Sequence, residues 1–438
     1  MKLYQSVTIP IDGVDESGRG TAFYGGKHFA VPFAFPGDVV RAQPVRRAHG
    51  VLVCAIEDIV TMSPWRVPPR CPHAARSGGC FWQAIEYGKQ LEWKRAIAQQ
   101  AFDAAALPFT IPPPAPSGTL YEFRNKMEYA IGPGYAIGTK APGRWWEIVD
   151  MDGCLLQSSA SGAVVQAVRA YLARHGVAPW DCRTHTGYAR YVVVREGKFT
   201  DERMVILVTA PGELPQVEEL IESLKPHATS LYHGINAQSS DTASADTYTH
   251  LYGARYLKER IGRLSFFIHP ASFFQTNSSM IEALLETVAV LAEVRPHERV
   301  LDLYCGLGLF SLFLAPSCAH VMGIEVVPEA IDMAIRNQEE NRSAHVQFKV
   351  GKVEDLTWVG SWAEVAIVDP PRAGLHPDVV DALVRFGPER LIYVCCNPQA
   401  FAREYPTLAR AYQVKALRAL DLFPHSPHLE LVMRLERS

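Results

Sequence analysis

Over the first sixty or so residues, short β-favouring runs are broken by Gly and Pro. Ser6-Val-Thr-Ile-Pro10, His28-Phe-Ala-Val-Pro32, Pro36-Gly-Asp-Val-Val-Arg41 and Val51-Leu-Val-Cys-Ala-Ile56 predict a small OB-like all-β barrel over 1–60. The prolines of Ser63–Arg70 predict a stiff connector. Apolar residues then recur at helical spacing from Glu86 to about Ala106, and Pro112-Pro113-Pro114 ends the pattern. From Tyr121 the chain is β-rich again, with one helix over Ala163–His175 and further strands within Tyr188–Val208 and Thr229–Ile268, so 61–270 reads as a central α+β domain. After a helix from Ser278, a doubly wound pattern follows: strands Val300–Tyr304, His320–Ile324, Glu364–Asp369 and Leu391–Cys395, each followed by turn or helix signals. The fold class expected is multidomain α/β, with a Rossmann-like domain over 271–438.

Length and composition leave this picture standing. A chain of 438 residues exceeds a single core, and 48% apolar with 20% charged residues is ordinary for a globular protein. The formal charge of −3 excludes a protein that holds nucleic acid by bulk basicity. The chain has no apolar run long enough for a membrane span, and Met1-Lys-Leu-Tyr-Gln5 has no leader-like apolar region, so a cytoplasmic location is expected. In that compartment nine cysteines read as free, catalytic or metal-binding.

Chemistry concentrates at strand ends. Cys395 and Cys396 sit where Leu391–Cys395 gives way to Asn397-Pro398, the sheet edge where ligands bind in open α/β folds; the plain alternative is two small buried hydrophobes. Cys305-Gly-Leu-Gly308 makes a tight turn after the first strand, and Glu325 ends the second, where an acid can hold ribose hydroxyls. No Gly-x-Gly-x-x-Gly follows, which favours S-adenosylmethionine over a dinucleotide. Asp369 ends another strand, before Pro370-Pro371-Arg372. Cys71, Cys80 and Cys154 lie in flexible loops and suit iron, one thiolate short of a full set. Arg124, Lys126, Tyr129, Lys140 and Arg144 interleave cations and aromatics as an RNA groove would; one solvated sheet face is the plain alternative.

Five motifs stand in the order seen in RNA uracil-C5 methyltransferases, and the chain resembles that family over nearly its whole length. They are Phe273-Phe-Gln-Thr-Asn277, Leu301-Asp-Leu-Tyr-Cys-Gly-Leu-Gly308, Asp369-Pro-Pro-Arg-Ala-Gly374, Cys396-Asn-Pro398 and Phe423-Pro-His-Ser-Pro-His-Leu-Glu430. Gly18-Arg-Gly20, Ala30-Val-Pro32 and Pro36-Gly-Asp38 resemble a TRAM domain. The resemblance implies a nucleophile at Cys396, a base at Glu430, and cofactor contacts at Gln275, Tyr304, Glu325 and Asp369 for S-adenosylmethionine. It also implies a 4Fe-4S cluster on a Cys-x5-Cys-x2-Cys loop plus a distant cysteine, but here Ser77 takes the second place. Leu309 replaces a frequently polar residue, and Lys352 stands where Asn or Asp often meets adenine. The expected partner is RNA, 23S ribosomal before transfer RNA, with no membrane and a monomeric chain. Two other readings remain: a methyltransferase acting on nitrogen without a covalent step, and a non-catalytic RNA-binding or RNA-folding protein on this scaffold.

Overall fold

The structure, a computed structural model, describes residues 4–358 and 363–438; Met1–Leu3, part of the start read for a leader, fall outside it. No helix among the described residues is long and apolar enough to cross a membrane.

The N-terminal strands Val7–Pro10, Gly13–Val14, Gly20–Tyr24, Lys27–Val31, Val39–Ala48 and Val51–Thr61 form one sheet, in the spatial order first, fifth, sixth, fourth, third, second. Ile9, Phe29, Val31, Val40 and Leu52 fill its interior. The proline connector is fastened to it. Buried Asp38 accepts from the Phe35 and Ser63 amides at 2.7 and 2.8 Å, and its ion pair with Arg66 closes at 2.7 Å. Trp82, fully buried, donates its indole N–H to the Gly18 carbonyl at 3.1 Å. Gly18 has φ +76°, and a Cβ there would come within 2.8 Å of the indole nitrogen, so this turn requires glycine.

Seven strands make the central sheet, in the order Thr247–Gly253, Ser230–Ile235, Arg203–Thr209, Ala189–Glu196, Lys126–Gly132, Ala136–Ala141, Arg144–Asp150. Its period-two pattern serves two cores. Val192 and Val194 face helices Ser159–Arg174 and Val217–Leu224. Tyr191 and Val193 face the opposite way, into one core shared with hairpin Leu257–Ile268 and helix Ser278–Ala292.

The C-terminal sheet has strands β1 (Arg299–Leu303), β2 (His320–Glu325), β3 (Val346–Val350), β4 (Val365–Val368), β5 (Arg390–Cys395), β6 (Tyr412–Leu420) and β7 (Glu430–Arg437). Their order is β3-β2-β1-β4-β5-β7-β6, with β7 antiparallel to both neighbours and the rest of the sheet parallel. The order reverses beside β1, so the crevice for a ligand opens at the carboxyl ends of β1, β2 and β4.

Helix Tyr87–Ala104 lies close to the length its periodicity predicts, and it packs on this C-terminal sheet's flank: Ala98 and Phe102 share a core with Phe401 and Tyr405 of helix Pro398–Leu408. From it, fully buried Lys94 reaches Asp421 at 2.5 Å and the Phe423 carbonyl at 2.8 Å, while the Tyr87 hydroxyl donates to Asp421 at 2.9 Å. These bonds hold the loop that delivers Glu430. Removing one member strands a buried charge. Lys94→Met is therefore expected to lower the unfolding free energy by about 3–5 kcal/mol in urea titration, and Lys94→Met with Asp421→Asn by clearly less. Equal losses would show that the pair is not coupled.

Candidate active site

The tips of β1, β2 and β4 carry Tyr304, Glu325 and Asp369, and all three line a cavity of about 760 Å³. Gln275, Cys396 and Glu430 line it too, so the six residues expected at the nucleophile, base and cofactor positions converge in one place. Its walls also include Phe273, Val326, Val327 and Ala330, an apolar lining with few polar groups, as small-molecule sites have.

The glycine turn is shaped by its neighbours. Gly308, at φ +81°, precedes helix Leu309–Leu314, and a Cβ there would meet the Phe348 ring at 2.6 Å. Glu325 accepts from the Gly306 amide at 3.2 Å and from the Val326 and Val327 amides at 2.8 and 3.0 Å, which fixes its carboxylate at the cavity wall. The Tyr304 hydroxyl donates to Glu354 at 3.2 Å. Leu309 is buried in the helix, away from the lining. Lys352 is exposed and does not line the cavity; the adjoining Val353 and Glu354 do.

Beneath the cavity three carboxyl groups stand in series. Asp302 is fully buried and accepts from the Ser311 amide at 3.1 Å and the Ser311 hydroxyl at 2.6 Å, with its other oxygen unpartnered. Burial, then the nearby charge of Asp302, pushes Asp369 above the ordinary carboxylate range, although Gln275 donates to it at 3.3 Å. Glu430 is only 2% exposed, its Oε1 has no hydrogen-bond partner, and burial followed by Asp369 raises it strongly. The Cys396 thiol is pushed up to about 12 by burial and by Glu430 and Asp369, with Arg372 opposing. Cys395 points the other way, into the core, and takes the plain role of a small hydrophobe.

A second cleft, of about 990 Å³, opens on the other side of Cys396. Ser17 of the N-terminal sheet, Gly78, Gly79, Lys94, Phe123, Arg124 and Asn397 line it. Thr276, Arg372, Cys396, Phe423 and His428 belong to both cavities. Arg372 Nη2 lies 3.0 Å from His428 Nδ1, and burial followed by Arg372 drives the imidazole down to about 4, so it is neutral. Asn397 donates to the Arg372 carbonyl at 2.7 Å and ties the cysteine turn to the Pro370-Pro371-Arg372 loop. Glu354 carried no signal of its own in the sequence; His428 lay inside the Phe423–Glu430 motif without an assigned role, and only the folded chain brings both to the cavities.

One expectation is corrected. The series Arg124, Lys126, Tyr129, Lys140 and Arg144 does not form a groove. Tyr129 is fully buried and donates to Gln157 at 3.1 Å, while Lys126, Lys140 and Arg144 are ion-paired with Glu128, Asp241 and Glu147. Only Arg124 reaches the cleft. At the cysteine loop, burial and then the nearby Cys154 and Cys71 push Cys80 up to about 12, and burial also raises Cys154. Ser77 is buried and accepts from Thr139 at 3.1 Å. Three thiols and an alcohol do not supply the four thiolates of a 4Fe-4S cluster, and among the described residues no group of His, Cys, Asp or Glu side chains has the geometry to hold a metal ion. Cys80, with Phe123 and Leu156, instead forms a small apolar cluster against which Cys154 packs.

A sheet of this order with a ligand crevice at its switch point, a glycine turn and an acid ending the second strand defines a methyltransferase that uses S-adenosylmethionine. A family model described as tRNA (Uracil-5-)-methyltransferase matches residues 256–438. The chain is 36% identical to a tRNA (uracil(54)-C(5))-methyltransferase of Pyrococcus abyssi, over 93% of this chain and 96% of that protein. It is also 36% identical to a 23S rRNA (uracil(747)-C(5))-methyltransferase of the same organism, over 98% and 99%. The solved Pyrococcus abyssi tRNA (uracil-54, C5)-methyltransferase, in complex with S-adenosyl-L-homocysteine, superposes with a TM-score of 0.80 at 32% identity, covering 98% of this chain and 100% of that one. The chain belongs to the RNA uracil-C5 methyltransferase family.

A thiol raised this far holds little thiolate near neutrality. Alkylation of Cys396 by iodoacetamide, followed by peptide mass spectrometry, is expected to run at least about 100-fold slower than that of a free thiol at pH 8 and to be still climbing at pH 10. A plateau below pH 8 would contradict this placement.

Proposed function

We propose that this protein methylates C5 of a uridine in RNA through a transient bond between the sulfur of Cys396 and C6 of the base. The observation that carries the reading is that Cys396 stands in the wall common to two cavities, with Glu430 lining the cofactor-sized one. One cavity has the lining of an S-adenosylmethionine site, to which Gln275, Tyr304, Glu325 and Asp369 contribute; the other opens toward solvent and suits a nucleotide turned out of its stack.

Uracil C5 is a weak nucleophile. Addition of the Cys396 sulfur to C6 moves the ring's π electrons toward O4 and makes C5 an enolate carbon. Asp369, which lines the same cavity as Cys396, accepts the thiol proton in its ionised form. S-adenosylmethionine supplies the electrophilic methyl group. Glu430 then removes the C5 proton, the C5–C6 double bond re-forms, and Cys396 leaves as thiolate. Because burial holds Glu430 protonated into a higher pH range than a free carboxyl, the proton-removal step gains rate as pH rises through its ionisation.

The expectation of 23S rRNA rests on the N-terminal sheet's likeness to a TRAM domain and on the cysteine loop. Relatives of equal identity act on tRNA and on 23S rRNA, so both RNAs belong in the assay. Nucleoside mass spectrometry after incubation with each RNA is expected to show 5-methyluridine in one of them, and none with Cys396→Ala. Glu430→Gln should lose at least about 100-fold in turnover and retain RNA as a gel-resistant protein adduct, since the covalent bond forms but cannot break. Turnover retained in Cys396→Ser would favour a non-covalent methyl transfer, and no methylation of either RNA would favour a binding protein.

A further inference from the structure

Trp145-Trp146 is an exposed aromatic pair of the central sheet that the active site leaves unused. The strand Arg144–Asp150 lies at the edge of that sheet. Along its hairpin Ala141 faces Arg144 and Lys140 faces Ile148, so Trp145, Trp146 and Glu147 have no residue opposite them. They form a wide bulge, a device that re-aims side chains. Its effect is to push both indoles outward: Trp145 is 49% and Trp146 42% exposed, with ring centroids 5.8 Å apart at 84°. Two large rings kept in water at a sheet edge bury little of the surface they could.

Their position limits what can cover them. Pro142, at the hairpin's tip, packs against Gly78, where a Cβ would come within 3.2 Å of the proline ring. Gly78 is itself a wall of the cleft that opens at Cys396. The hairpin's tip thus lies beside a wall of the nucleotide cleft, and both indoles follow it by three and four residues. Charge does not account for binding there. Of the neighbouring cations, Lys140, Arg144 and Arg183 are each paired with a carboxylate and Arg190 is held by backbone carbonyls, and the chain as a whole carries −3.

Building on the reading of the chain as an RNA uridine methyltransferase, we propose that Trp145 and Trp146 form a stacking platform for unpaired bases of the substrate RNA beside the cleft. Indole faces accept any base, so the platform gives affinity without reading sequence and with little dependence on salt.

The test is binding of an unstructured uridine 12-mer RNA to the full chain, followed by fluorescence anisotropy at several salt concentrations. Trp145→Ala with Trp146→Ala is expected to weaken binding at least about tenfold at every salt concentration, with an unchanged salt slope. Trp145→Phe with Trp146→Phe, which keeps aromatic faces, should stay within about threefold. The proposal is overturned if the alanine pair binds within about twofold of the unaltered chain, or if it abolishes self-association in sedimentation while RNA binding persists, since the edge would then meet a second copy. The reaction is judged separately, by the unaltered chain's covalent capture of 5-fluorouridine RNA. Capture with no effect of the tryptophans removes the platform alone, and absence of capture removes the methylation reading whatever the tryptophans do.

Discussion

Three buried carboxyl groups and a thiol share one site with a single guanidinium to offset them. Asp302 raises Asp369, Asp369 raises Glu430, and both Asp369 and Glu430 raise Cys396, against Arg372 alone. With burial as the larger cause, each of these groups releases its proton at a higher pH than it would when free. The sulfonium of S-adenosylmethionine would add a positive charge beside these groups and favour their ionised forms. A thiol that stays protonated until both cavities fill is protected from oxidation and alkylation in the meantime.

That arrangement depends on contacts far from the crevice. Glu430 begins the closing strand, and the loop before it is pinned by Lys94, Tyr87 and Gln90 of a helix more than three hundred residues earlier in the chain. The Trp82 amide, beside the N-terminal sheet, donates to the His425 carbonyl of the same loop at 3.3 Å. The Trp82 turn, helix and closing strand therefore share one buried polar network. Its satisfied members fix where Glu430 stands, which apolar packing alone would leave adjustable.

Much of this was legible in the sequence where residues act through local geometry. Strand-then-turn patterns placed Tyr304, Glu325, Asp369 and Cys396 at sheet tips, and the structure puts all four on one cavity. Alternation along Lys126–Gly132 and Ala189–Glu196 marked strands correctly but could not say that both faces are covered, so Tyr129 was expected at a surface and is in a core. Basic residues were countable, but their pairing with Glu128, Asp241 and Glu147 was not. The helix Tyr87–Ala104 was visible from its period, and its partner, helix Pro398–Leu408, was not, because packing partners distant in sequence leave no periodic trace. Lys352 lies off the cavity wall, to which the short 3-10 turn over Val353–Asp355 contributes its neighbours Val353 and Glu354.

The central claim is that one sulfur joins the base in the wall between two cavities. A crystal structure of the protein with S-adenosylmethionine and RNA carrying 5-fluorouridine tests it directly, since fluorine at C5 prevents release of the sulfur. Continuous density from Cys396 Sγ to C6 of the pyrimidine, with the Glu430 carboxylate facing C5, is the outcome required. A base seated in the cleft with its C6 beyond bonding distance of Cys396, or bonded to another residue, would contradict it.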